Sequence, residues 1–205
     1  MPFSAIPDRI FYCISYAVFA VPLMLFYAFF IPPFQVPDES SHFARAYQLT
    51  QGEFFPTKQP DPDAPGEYIV GGTTDPGIYL AAGKLTYLQF NSAKKYSINK
   101  AVEVNRYTWR DGEMRDTRSV SVNAPTFYAI PALGVVLGQY LDKSIVQTLT
   151  LSRLINGFFA FVVSCIALLA LRRGFGVMFV LLLMPMTVAQ IASRRQDATC
   201  FAPAA

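Results

Sequence analysis

Charged residues are scarce in this sequence, and several common functional motifs are absent from it. Charged side chains make up 15% of the 205 residues, whereas soluble domains carry about 25%. Hydrophobic residues reach 53%, which argues against both a disordered chain and an ordinary water-soluble domain. No P-loop, GxGxxG, CxxC or HExxH pattern occurs. The usual signatures of nucleotide, dinucleotide, dithiol and zinc-protease sites are therefore missing.

Cysteine is equally rare. Cys13 and Cys165 lie inside apolar stretches, and Cys200 lies near the end of the sequence. Residues 35–152 contain no cysteine, and no N-x-S/T acceptor site occurs anywhere in the sequence. A disulfide framework is therefore excluded for this long polar segment.

Long uncharged runs are what the sequence does contain. The first extends from residue 11 to residue 37 and includes the nearly all-apolar stretch YAVFAVPLMLFYAFFI. A membrane-spanning helix needs about 20 apolar residues, so the run predicts a transmembrane helix at residues 10–34 after a cytoplasmic N-terminus at residues 1–9. A cleaved signal peptide is the alternative, but its apolar region covers about 7–15 residues and ends at a small-residue cleavage site.

Two more uncharged runs lie near the end of the sequence. They predict transmembrane helices at residues 153–171 and 174–193, joined by a tight Arg-Arg-Gly turn. By the positive-inside rule this turn and Arg9 face the cytoplasm, so residues 35–152 are predicted to be extracytoplasmic. That segment holds 11 Lys/Arg and 12 Asp/Glu, so the net charge of +3 lies outside it. The excess is a topology signal rather than the basic patch that nucleic-acid binding requires.

A fourth uncharged stretch precedes the second predicted span. It predicts an amphipathic surface helix at residues 123–141, with Asn123 as its cap and Pro125 in its first turn. The helix would lie at the membrane interface or pack on the helix bundle, and a full span is the alternative. Gly134 and Gly138 form a GxxxG pair, which is typical of close helix packing.

The chemically most distinctive motif is PDESSHF, which directly follows the first predicted span. Pro37 and the acids after it predict a helix that stops near Gly52. Spacing places Asp38, His42, Arg45 and Leu49 on one face of this helix, and Phe43, Ala46, Tyr47 and Thr50 on a packed face. An aspartate here can act as a general base, or hold a divalent cation with a second acid. The alternative is plain N-terminal capping beside a solvated histidine.

The rest of the polar segment has weaker patterns. Residues 56–77 are rich in proline and glycine and predict a loop, and residues 78–90 predict a short helix. Residues 101–122 alternate weakly, which fits short strands or irregular chain.

Together these stretches resemble a known family. PPFQVPDESSHFARAYQLTQGEFFP, NAPTFYAIPALGVVLGQYL and the last two apolar runs resemble an uncharacterised family of bacterial multi-pass membrane proteins, a domain of unknown function. Its layout is similar to that of the GT-C glycosyltransferases, such as the protein O-mannosyltransferases and the aminoarabinose transferase of lipid A. The predicted fold class is therefore an all-α membrane protein with about three transmembrane helices and an extracytoplasmic region carrying amphipathic surface helices.

The resemblance implies a function and a set of site residues. A GT-C-like protein takes a sugar from a polyprenyl-phosphate carrier at the outer face of the bacterial inner membrane, in cell-envelope glycan synthesis. By this resemblance Asp38 is the catalytic base and Glu39 its alternative. His42 and Arg45 contact phosphate or acceptor, and Asp197 is a second acid that binds substrate and, with Asp38, a divalent metal. The implied partners are the lipid bilayer and the lipid-linked sugar, with no nucleic acid.

Two further expectations belong to this interpretation. GT-C proteins have more than three spans, so the chain is expected to be an N-terminal part with a truncated tail at residues 194–205, inactive by itself. The competing hypothesis is a non-enzymatic multi-pass membrane protein that serves as an assembly or transport partner in envelope polysaccharide export.

Overall fold

The computed structural model describes residues 8–62, 64–171 and 173–192. Most of these residues are helical. The strands of a small sheet lie between the second and fifth helices in the sequence. The helices are α1 (Asp8–Phe30), α2 (Glu39–Thr50), α3 (Pro76–Gly83), α4 (Ile98–Val104), α5 (Arg118–Ser121), α6 (Thr126–Tyr140), α7 (Ile145–Ala170), α8 (Phe175–Leu183) and α9 (Pro185–Ala192), with a 3-10 turn at Thr86–Leu88. The strands are β1 (Thr57–Pro60), β2 (Tyr68–Thr74) and β3 (Glu113–Asp116).

Helices α1 and α7 are both long and apolar enough to cross a membrane. They run antiparallel, because Arg153 of α7 contacts the end of α1 whereas Arg9 donates to the carbonyl of Leu169 at 3.4 Å. Most of their apolar surface faces outward: within the most apolar window, 22% of α1 and 33% of α7 is buried. A soluble monomer rarely exposes so large an apolar surface to water, so both helices fit a lipid environment.

The ends of both helices differ from the sequence prediction. Helix α1 ends at Phe30 and not at residue 34, because two prolines follow it at positions 32 and 33. Helix α7 begins at Ile145, eight residues before the predicted start. A capping box starts it, in which the Ser144 hydroxyl accepts from the Gln147 amide and the Gln147 side chain accepts from the Ser144 amide, both at 3.2 Å. Arg153 is therefore inside a helix and not at its end.

The third predicted span is a broken helix. It consists of α8 and α9, separated at Met184–Pro185, because proline has no amide hydrogen to continue the ladder. Tyr12 of α1 contacts Phe175 and Phe179, each at 5.3 Å between ring centroids. The described residues thus provide two candidate spans, and the third span stays a prediction.

The all-α prediction is wrong for part of the polar segment. Strands β1, β2 and β3 form an antiparallel sheet in that order, with Thr57 opposite Gly71 and Gly71 opposite Asp116. Residues 56–77, predicted to be a loop, therefore contain two strands. The reason is that β1 (TKQP) is wholly exposed and polar, so it has no apolar alternation by which a strand is recognised.

Helix α6 packs closely on α7 and begins three residues later than predicted. Asn123 does not cap it; its amide donates instead to the Tyr128 hydroxyl at 3.1 Å. The GxxxG pair meets small polar residues of α7, Gly134 against Ser152 and Gly138 against Thr148. Glycine is needed there because the two backbones approach too closely to admit a side chain.

Gly134→Ala should destabilise the protein, because its added Cβ would fall 2.5 Å from the Cα of Ser152. Overpacking of this kind typically costs about 1–3 kcal/mol. Gly157→Ala in α7 is the matched control, since a Cβ there meets nothing within 4 Å and the gain in helix propensity is the same. Thermal unfolding in detergent measures both, and a Gly134→Ala protein as stable as the Gly157→Ala protein would contradict the packing described.

Candidate functional site

The turn between α1 and α2 positions the acidic motif. Phe34 and Asp38 both adopt left-handed backbone conformations, with φ of 59° and 58°. Such values are unfavourable for phenylalanine and tolerated by aspartate. Phe34 is held in place by burial against Phe43, at 6.2 Å between ring centroids. The turn leaves Asp38 just before the first residue of α2.

Glu39 and Asp38 have opposite environments although they are neighbours. Glu39 is 1% exposed, and its carboxylate accepts two hydrogen bonds from Arg153, one from Nε and one from Nη2, both at 2.7 Å. This paired geometry is the strongest that an arginine and a carboxylate can form. The side chains of both partners are almost completely buried. Glu39 is thus committed to an ion pair, which argues against the catalytic role considered for it.

Arg153 also binds the end of α1. Its Nη1 donates to the carbonyls of Ala28 and Ile31 at 3.3 and 2.8 Å, and its Nη2 donates to that of Pro32 at 3.3 Å. The last carbonyls of a helix lack partners within the helix and carry partial negative charge. One guanidinium therefore satisfies the end of α1 and joins it to α2 and α7.

Asp38 faces an open cleft of about 600 Å³ that has both polar and apolar lining residues. Its carboxylate is exposed and makes no hydrogen bond or ion pair with the described residues. The cleft lies between the α1–α2 turn and the chain around the 3-10 turn. Its lining residues are Pro32, Gln35, Val36, Pro37, Asp38, Leu88, Gln89, Phe90, Lys94 and Tyr96. A free carboxylate in a cleft with amide, hydroxyl and ammonium groups can take a proton from a bound hydroxyl.

His42 does not reach this cleft. It is buried, and its Nδ1 lies 2.9 Å from the hydroxyl of Tyr128, with the two rings stacked. Asn123 donates to the same hydroxyl at 3.1 Å. In this position His42 links α2 to the start of α6, and its contact with phosphate or acceptor stays a prediction.

Arg45 is also buried. Its Nη1 donates to the Gln48 side chain at 3.0 Å and to the Glu53 carbonyl at 3.2 Å, and its Nη2 donates to the Phe54 carbonyl at 2.6 Å. Burial lowers the pKa of Arg45 from its ordinary value. These bonds fix the chain after α2, so a role in contacting phosphate is not supported by this geometry.

The same face of α2 anchors the sheet, which the sequence patterns did not indicate. Gln48 donates to the hydroxyls of Thr74 and Thr117, both at 3.2 Å. Glu53 accepts from the amide and the hydroxyl of Thr73 at 2.7 and 2.6 Å. Spacing correctly grouped residues 42 and 45 on one face, but that face contacts polar groups of the protein interior.

The metal that the resemblance implies would bind Asp38 and Asp197, and only Asp38 lies among the described residues. Among them no group of three or more His, Cys, Asp or Glu side chains could hold a metal ion. The side chain that shares the cleft with Asp38 and carries charge is Lys94, which repels cations. Asp197 lies outside the described residues, so its predicted roles as a metal ligand and substrate-binding acid remain predictions.

A second cavity lies between α1 and α7, the two candidate membrane-spanning helices. It has a volume of about 400 Å³ and an apolar lining, and Arg153 lies at its end. Its walls come from α1 and α7 and include Val21, Met24, Leu25, Ala28, Leu154, Gly157, Phe158 and Phe161. The buried ion pair of Arg153 thus lies between an apolar groove and the cleft at Asp38.

Comparison with known proteins agrees with this architecture. The family model described as "Predicted membrane protein (DUF2142)" matches residues 22–205. The chain belongs to the DUF2142 family. This is a family of predicted membrane proteins of unknown function, as the resemblance in the sequence indicated. No curated protein and no solved structure matches the DUF2142 chain.

Arg153→Met should strongly destabilise the DUF2142 chain, because it leaves the Glu39 carboxylate buried without its partner. Loss of one partner from a buried ion pair typically costs about 3–5 kcal/mol. The double variant Glu39→Met/Arg153→Met should unfold at a higher temperature than Arg153→Met alone, since no buried charge remains.

Arg118→Met is the control for this measurement. It removes an exposed pair with Asp116 and an exposed hydrogen bond to the Tyr68 carbonyl, so it should lower the unfolding temperature far less than Arg153→Met does. Equal effects of Arg118→Met and Arg153→Met would mean that the buried pair does not join α1, α2 and α7.

Proposed function

We propose that this DUF2142 chain, which is expected to be inactive by itself, belongs to a GT-C-like glycosyltransferase of the bacterial inner membrane. It takes a sugar from a polyprenyl-phosphate donor at the outer face, in the synthesis of a cell-envelope glycan. The observation that carries the proposal is the unpaired carboxylate of Asp38, exposed in a cleft where the first membrane-spanning helix ends.

Asp38 acts as the general base in this proposal. It accepts the proton of the acceptor hydroxyl, whose oxygen forms a bond to the anomeric carbon of the sugar. The bond between that carbon and the donor phosphate oxygen breaks, and the electron pair leaves with the lipid phosphate. Gln35, Gln89 and Tyr96 line the cleft and offer hydrogen-bonding groups to the sugar and acceptor hydroxyls.

The apolar groove between α1 and α7 supports a lipid-linked donor. An isoprenoid chain can occupy a groove whose lining is almost wholly apolar. Arg153 lies at one end of this groove and donates to Pro32, which lines the cleft. A donor with its chain in the groove would carry its phosphate toward the cleft that contains Asp38.

The competing hypothesis, a transport or assembly partner, has less support. Charged groups inside the membrane would favour a transporter. Among the described residues of α7 the buried charge is Arg153, and Glu39 and three carbonyls bind it. In this arrangement Arg153 has a structural role, since it joins α1, α2 and α7.

Asp38→Asn should abolish sugar transfer without loss of expression or stability. Removing a general base typically lowers the rate by about 10²–10⁴-fold, and asparagine tolerates the left-handed backbone of this position. The measurement is the sugar composition of the envelope glycan in a strain whose native gene is replaced by the variant.

Asp111→Asn is the matched control, because it neutralises an exposed aspartate of the same polar segment away from the cleft. It should leave the glycan unchanged. A normal glycan in the Asp38→Asn strain would refute the catalytic assignment.

The proposed topology has its own test. A cysteine introduced at Pro60, in the exposed strand β1, should react with a membrane-impermeant maleimide in intact cells when Cys13, Cys165 and Cys200 are replaced. A cysteine at Asp8 should react only after the membrane is permeabilised. The opposite pattern would overturn the extracytoplasmic assignment of residues 35–152.

A further inference from the structure

A lysine-rich segment extends from the residue after α3 into α4. From residue 76 to residue 102 the sequence has no acid, whereas acids slightly outnumber bases over residues 35–152 as a whole. It contains Lys84, Lys94, Lys95 and Lys100. The polar part of the protein is therefore nearly neutral, but this stretch carries four bases and no acid.

The four lysines have two different environments. Lys84 and Lys100 both pair with Glu103, at 3.7 and 2.7 Å. Lys94 and Lys95 are exposed, and neither forms an ion pair with the described residues. These two ammonium groups are thus available to an anion from outside the protein.

An exposed aromatic side chain accompanies the free lysines. Phe90 is fully exposed and has a left-handed backbone conformation, with φ of 55°. Ile98, on the other side of the lysines in the sequence, is 77% exposed. Large apolar side chains next to lysines are typical of segments that lie in a membrane interface.

The position of this segment relative to α1 determines which surface the segment contacts. Gln35, in the turn after α1, donates from Nε2 to the carbonyl of Leu85 at 3.2 Å. Phe90, Lys94 and Tyr96 line the same cleft as Pro32 and Asp38. The segment is therefore held beside the end of α1, where that helix leaves the bilayer.

We propose that residues 84–102 dock on the membrane through the headgroups of anionic phospholipids. Phe90 enters the interface, and Lys94 and Lys95 bind the lipid phosphates. Each lysine near an anionic surface strengthens such binding about fivefold. This docking can be measured without sugar transfer, since it needs neither a donor nor an acceptor.

The experiment uses the full chain in lipid nanodiscs and a tryptophan placed at position 90. Phe90→Trp disturbs no packing, because the side chain is fully exposed. The emission of the native Trp109 is measured in the parent protein and subtracted. Brominated phosphatidylcholine quenches a tryptophan that lies in the bilayer. We expect strong quenching of Trp emission from position 90 when the discs contain phosphatidylglycerol, and less in phosphatidylcholine alone.

Charge variants test the role of the lysines in the same discs. Lys94→Gln with Lys95→Gln in the Phe90→Trp protein should lower the ratio of docked to free segment about fivefold for each lysine removed. Lys94→Arg with Lys95→Arg should retain the quenching, because the charge is kept.

A second aromatic and lysine pair provides the control. Tyr68 in β2 lies under the ammonium of Lys58, at 3.9 Å from the ring centroid, and belongs to the sheet. Tyr68→Trp should show no quenching, and Lys58→Gln should not change the quenching measured at position 90. Equal quenching at position 90 with and without phosphatidylglycerol would overturn the headgroup assignment, and absent quenching would overturn docking altogether.

Discussion

The structure depends on the buried ion pair between Glu39 and Arg153. Placing two charges inside a protein is unfavourable unless both are fully hydrogen bonded. Here the carboxylate takes two bonds from the guanidinium, and the guanidinium also binds three carbonyls at the end of α1. Because each partner comes from a different helix, the pair closes only when α1, the following turn, α2 and α7 are all in place. The orientation of the acidic motif follows from that condition.

This pair also separates the roles of two neighbouring acids. Glu39 points into the protein and forms the ion pair. Asp38 is positioned by this ion pair, although Asp38 takes no part in it. Asp38 lies outside with a left-handed backbone and a free carboxylate. Since the Asp38 carboxylate makes no hydrogen bond or ion pair with the described residues, the catalytic role proposed for it does not compete with the stability of the fold.

The sequence predicted the two long apolar helices α1 and α7, because long uncharged runs are strong signals. The prediction failed where the sequence pattern is weak or where the outcome depends on tertiary contacts. The polar strand β1 has no alternation, and the start of α7 was set by the capping box at Ser144, a short motif in front of a more obvious apolar run. Arg153 was therefore assigned to a helix end. Spacing placed His42 and Arg45 on one face correctly, but spacing cannot tell whether a face meets solvent or the polar interior formed by Thr74, Thr117 and Tyr128.

The unbroken length of α7 has a mechanical consequence. Its 26 residues form a rod of about 39 Å, whereas the hydrocarbon core of a bilayer is about 30 Å thick. The excess of about 9 Å corresponds to about six residues at the start of α7, which include Thr148, packed against Gly138 of α6. Because this rod is shared by the bilayer and the polar domain, no flexible joint lies between them on this side. The height of the cleft above the lipid is therefore set by helix length, and the thickness of the host membrane determines how deeply the cleft sits among the headgroups.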